Sequence, residues 1–210
     1  MVSLLVALAV TAVAAWHFDW RAFIKDTAIQ QLSLICMLIL VSLWMVRTGI
    51  QPGLHLHFLG LTTLALMLGW RLSLLVASVA LLVSTLMGVD QWALFGMNWL
   101  YGVVWPISLS YFIFLLSYSY MPRHLFVYIF IAGFANAALT ITAQMGAFAL
   151  YYAWQDLYSW RVLVEDYLKI IPLMLFPEGL INGMSIATLV VYKPEWVCTF
   201  LDKDYLHKKS

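Results

Sequence analysis

Apolar residues run along this chain in long blocks, and polar residues collect in the short gaps between them. A first, short block occupies 2–16 and a polar loop follows at 17–26. Further blocks lie at 27–46 (closed by Arg47), 55–70, 72–87, 97–118, 124–152 and 167–192. A membrane-spanning helix needs about 20 predominantly apolar residues, with a range near 17–25. The pattern therefore predicts a bundle of about seven transmembrane helices, the first, third and fourth of them marginal in length. Pro106 interrupts the fifth, Pro172 and Pro177 fall inside the seventh, and the sixth is long enough to tilt or to reach out of the lipid. The connector at 154–166 is amphipathic and rich in Trp and Tyr, and 193–210 is a charged tail.

Composition sharpens this picture. The chain is 64% hydrophobic and 10% charged, against about 45–50% and about 25% in soluble domains. So apolar a chain cannot hide its surface from water, so the bilayer is its solvent and the fold class is all-α integral membrane. A net charge of +1 implies no nucleic-acid partner. Cys36, mid-helix, and Cys198, in the tail, form neither a disulfide framework nor a CxxC site and read as inert thiols. The first sixteen residues lack a basic n-region and a clear cleavage site, although Ala12-Val-Ala-Ala15 resembles one, and are read as a retained span. With no repeat and no linker, 1–196 reads as a single transmembrane domain and 197–210 as a short charged cytoplasmic tail. Most tryptophans, Trp16, Trp44, Trp70 and Trp154 among them, fall near predicted span ends, as in an interfacial belt.

Charge gives the orientation. With the N-terminus outside, Arg21, Lys25, Arg71, Arg123, Lys193, Lys203, Lys208 and Lys209 face the cytoplasm and only Arg47, Arg161 and Lys169 face out, 8 against 3. Cytoplasmic loops are enriched in Lys and Arg, so the N-terminus is placed outside and the C-terminus in the cytoplasm of a multi-pass protein of the cell (inner) membrane. His55 and His57 then open the third span at the outer face, which Asp90, Gln91 and the 154–166 connector share.

The chemistry concentrates at Gln51-Pro-Gly-Leu-His-Leu-His-Phe-Leu-Gly60. Imidazole suits transition-metal ions and a carboxylate such as Asp90 shares such sites, which makes His57, His55 and Asp90 the candidate metal ligands. On a helix the two histidines would point about 200° apart, so they converge only at a frayed helix start or in an irregular turn. The bland alternative is a pair of headgroup-level polar residues satisfied by backbone or water. Glu178 is the carboxylate deep in an apolar block, costly there and hence a functional candidate; alternatively it is protonated, or caps a neighbouring helix. Asn98, at the start of the fifth span, either caps that helix or orients a ligating histidine. Both are assigned supporting roles. The scattered methionines read as packing. No GxxxxGK[ST], HExxH or GxSxG occurs, so any ATPase is a separate protein and no enzyme activity is expected.

Three ordered stretches resemble the cobalt/nickel energy-coupling-factor permeases of the CbiM/NikM type. Pro52-Gly-Leu-His-Leu-His-Phe-Leu-Gly60 with Leu68-Gly-Trp70 is similar to that family's PGGTSxHLxGG…LLGPW. Gly96-Met-Asn-Trp-Leu-Tyr-Gly-Val-Val-Trp-Pro106 is similar to GANVFNMAVVGP, and Pro177-Glu-Gly-Leu-Ile-Asn-Gly183 with Lys193-Pro-Glu195 to EGLITALVV…RPE. The resemblance runs from about 28 to 196. It implies a substrate-capture subunit of an ABC importer for a divalent transition metal, cobalt or nickel. The ion is the substrate, there is no covalent cofactor, and the partners are a transmembrane coupling subunit, cytoplasmic ATPases and the lipid bilayer. It also implies that His57 is the family's ligating histidine. The family's Met-His start is not matched by Met-Val-Ser, so that donor is expected to be missing and His55 is the candidate to replace it. The competing readings are a permease for a small organic vitamin or cofactor precursor, suggested by the 16% aromatic content, and a non-transporting membrane scaffold.

Overall fold

The computed structural model describes residues 2–51, 53–201 and 205. Met1, Pro52 of the turn before the histidines, and 202–204 and 206–210 of the charged tail, with its Lys203, Lys208 and Lys209, lie outside the described residues. In chain order the elements are α1 (Val2–Trp16), α2 (Trp20–Lys25), α3 (Thr27–Met45), β1 (Arg47–Gln51) and β2 (Leu54–His57), then α4 (Leu61–Leu86). After these come α5 (Trp92–Tyr120), α6 (Leu125–Trp154) and α7 (Trp160–Tyr192). The polar gaps supply the caps that start helices. Asp19 accepts from the Ala22 amide, Asp26 from Ala28 and Ile29, and Ser159 from Val162.

Five helices, α3 to α7, are long and apolar enough to cross a membrane by length and composition, and α1 is a shorter apolar helix of 15 residues. Large apolar side chains such as Leu38, Ile39, Leu139 and Val191 stand exposed on the outside of the bundle, as a lipid solvent requires. The chain is thus an integral membrane protein of helices, with one antiparallel hairpin among the described residues. The expected third span, 55–70, is not a membrane-length helix. Residues 55–57 are strand, and helix begins only at Leu61.

Helix α4 is broken at Gly69, whose φ of 73° and ψ of 171° belong to no helix. Ser73 Oγ donates to the Leu64 carbonyl at 2.8 Å. Nine residues along a straight helix are about 13.5 Å apart, so the chain doubles back here. A short arm (61–68) and a long arm (70–86) lie side by side. Their far ends return to one neighbourhood, where His57 and Asp90 line a common cavity.

Long-range hydrogen bonds fix which loops share a face. Arg71 donates to the His17 carbonyl at 3.0 Å, joining the bend of α4 to the α1–α2 gap. On the other face Tyr152 donates to the Gly53 carbonyl at 3.0 Å and Gln51 to Asp166 at 3.1 Å, joining the hairpin to the end of α6 and the first turns of α7. Helices α6 and α7 meet through small residues: a Cβ at Gly179 would stand 3.0 Å from the Phe134 carbonyl, and one at Gly183 would stand 3.0 Å from Phe134 Cβ. Buried polar contacts tie further helices, with Asn136 donating to the Ser110 carbonyl at 2.9 Å and Ser110 to Thr62 at 3.1 Å.

Candidate functional site

In the β1–β2 hairpin Arg47 lies opposite His57 and Gly49 opposite His55. Side chains alternate along a strand, so residues 55 and 57 share one face. The divergence that a helix would impose therefore does not arise. Gly49 leaves room for the His55 ring, since a Cβ there would stand 3.3 Å from its Nδ1. Trp44 donates to the Leu59 carbonyl at 3.2 Å, pinning the exit of β2 to α3.

His55, His57 and Asp90 line one cavity with Arg47, Gln144 and Met145. The space open to the centre of a water-sized sphere is about 40 Å³. At about 10–15 Å³ per water on this measure, that is room for a few waters or an ion. A second space of about 40 Å³ adjoins it, lined by His57, Arg47, Asp90, Asn98 and Trp44.

The two imidazoles differ. His57 Nδ1 lies 3.1 Å from the Phe58 carbonyl. A carbonyl only accepts, so Nδ1 carries the proton and the neutral ring keeps its lone pair on Nε2. A metal-binding histidine is commonly oriented by such a bond on its other nitrogen. His55 Nδ1 is buried with no hydrogen-bond partner among the described residues.

Asp90 is already engaged. Its Oδ1 accepts from Arg47 Nη1 at 2.7 Å, with only 16% and 11% of the two side chains exposed, and from Asn98 Nδ2 at 3.2 Å. Among the described residues no three His, Cys, Asp or Glu side chains are grouped so as to hold an ion. His57, His55 and Asp90 thus line one cavity without being grouped as a ligand set, and the carboxylate is paired with Arg47. Asn98 touches this carboxylate.

Glu178 lies outside both spaces. It is 1% exposed and accepts from the Leu59 amide at 2.9 Å, the Gly60 amide at 3.0 Å and Asn182 Nδ2 at 2.7 Å. Asn182 Oδ1 in turn accepts from the Thr63 amide at 2.9 Å and the Thr63 hydroxyl at 2.8 Å. These two α7 side chains satisfy amides at the start of the short arm that have no partner within it. Glu178 therefore anchors the segment that follows His57.

Sequence reasoning missed several lining residues, Gln144 and Met145 among them, and misread Arg47. Arg47 was weighed only for membrane sidedness. Gln144 is a polar residue inside an apolar block, a signal that was present, whereas Met145 is indistinguishable from packing. The hairpin had a signal too, the strict alternation of Leu54-His55-Leu56-His57.

A family model described as the cobalt uptake substrate-specific transmembrane region, CbiM, matches residues 1–196. No curated protein and no solved structure matches.

Proposed function

Since the chain belongs to the CbiM family of cobalt uptake transmembrane regions, we propose that it captures a divalent cation, cobalt or nickel, in the cavity at His55 and His57. The observation that carries this reading is the pair of imidazoles on one face of one strand, at a space of about 40 Å³. Space of that size suits an ion and not an organic ring at this site. Imidazole selects borderline transition metals over magnesium or calcium. In this reading the incoming ion competes with Arg47 for Asp90. Displacing the guanidinium adds a carboxylate to the two rings and removes a positive charge from the ion's side. Asn98 holds the carboxylate during the exchange, and Glu178 fixes the strand exit.

The chain threads the membrane seven times in this reading, the third pass being the hairpin followed by the short arm of α4. The loops that share each face support it, as does the excess of Lys and Arg on the face of Arg71 and Arg123. The hairpin then opens outward from the cell (inner) membrane and the C-terminus lies in the cytoplasm. Residues 1–196 form one transmembrane domain. Import runs on energy-coupling-factor lines, through a transmembrane coupling subunit and ATPase subunits, since the chain has no phosphate-cradling GxxxxGK[ST] loop of its own.

Cobalt retained by the purified protein tests the assignment. His57→Ala is expected to lose the ion, with stoichiometry falling from one towards zero. Equal retention in both proteins, or a bound organic chromophore in a metal-free preparation, would overturn it.

A further inference from the structure

The break at Gly69 leaves the short arm of α4 with a bare C-terminal end. In a continuous helix the Leu66 and Met67 carbonyls would accept from amides four residues on. Here the chain following α7 supplies the donors. The Cys198 amide donates to the Met67 carbonyl at 3.0 Å and the Thr199 amide to the Leu66 carbonyl at 3.3 Å. Thr199 Oγ1 donates to the same Leu66 carbonyl at 2.7 Å and accepts from the Tyr128 hydroxyl at 2.6 Å. Aromatic packing seats the segment. Phe200 and Tyr205 stack at 5.1 Å, and both rings pack on Tyr128, which is 1% exposed. The family match ends at 196, so this strap, residues 197–200 with the Tyr205 ring, lies just beyond it.

The short arm is consequently held by partners at both ends. Glu178 and Asn182 grip its start, which lies four residues after His57, and Thr199 and Cys198 grip its finish. Eight residues of helix amount to a rod about 12 Å long. A shift at the strap is transmitted to the histidine strand, because the rod has no free end to absorb it.

We propose that Thr199 is a positioning residue for the cargo site: the strap at 197–200 fixes the short arm of α4 and thereby sets the ion affinity at His57, on the opposite face. The affinity half of this proposal rests on the capture reading given above; the mechanical half does not. A partner that lifts the strap from Tyr128 would weaken the grip on the ion from the far side.

The test uses the full chain in lipid nanodiscs, with Thr199→Val, which removes the hydroxyl at nearly constant volume, and Thr199→Ser, which keeps it. Amide hydrogen exchange over 61–68, cobalt titration and the thermal midpoint are read together. Thr199→Val is expected to raise exchange in 61–68 about tenfold and to weaken cobalt binding about tenfold with little change in midpoint. Thr199→Ser is expected to restore both. Exchange unchanged in Thr199→Val, or affinity unchanged when exchange has risen, overturns the proposal. A loss of midpoint that accounts for the whole effect, without rescue by Ser, overturns it as well. If the unmodified chain binds no cobalt, the capture reading has failed, and the exchange comparison still decides the mechanical half.

Discussion

At His57 the proton on Nδ1 is committed to the Phe58 carbonyl, so the ring meets an ion through Nε2 or not at all. Arg47 gives a prediction at this scale. Arg47→Gln frees Asp90 and removes a charge that repels the ion, so cobalt should bind at least about tenfold tighter, about 1.4 kcal/mol. Unchanged or weaker binding would make the Arg47–Asp90 pair a purely structural link. His55 and His57 were visible in the sequence as donors because imidazoles are rare in so apolar a chain. That Asp90 would be paired was not visible, since Arg47 stands 43 residues away.

At the scale of elements, long apolar blocks were legible because lipid admits only backbone that bonds to itself. The block at 97–118 lies within a helix of the fold, and those at 27–46 and 124–152 match helices to within one or two residues at their ends. The block at 55–70 misled for a physical reason. A short apolar run fits a buried strand, a half-helix or part of a span equally well, and hydropathy does not separate them. What decides is Gly69. Its backbone lies in a region that is essentially glycine-only, and a Cβ there would stand 3.3 Å from Cys198 Sγ. Gly69→Ala should cost about 1–3 kcal/mol. It should also loosen the short arm, read as a lower thermal midpoint in detergent together with faster exchange over 61–68. A neutral effect would mean that the reversal of α4 does not depend on this residue.

For the whole molecule, two faces follow from the shared loops, and they carry a topology prediction. In a Cys36→Ser, Cys198→Ser background, Gln155→Cys should react with a membrane-impermeant maleimide added to intact cells. Arg123→Cys should react only after permeabilisation. The reverse pattern would invert the molecule and put the histidine hairpin in the cytoplasm. The composition of the chain by itself determined that it lives in lipid, because 64% apolar residues leave no soluble alternative. The arrangement of Lys and Arg carried an expectation of sidedness, and three short stretches pointed to the family that the match over 1–196 establishes. Tertiary structure alone decided that Glu178 serves the Leu59 amide 119 residues away. It likewise decided that Thr199 closes the Leu66 carbonyl across 133 residues. The difference is one of range. Hydrophobic length and charge balance act locally and are written along the chain. The partner of a buried amide or carboxylate is whichever group helix packing brings within 3 Å, and no local pattern encodes that.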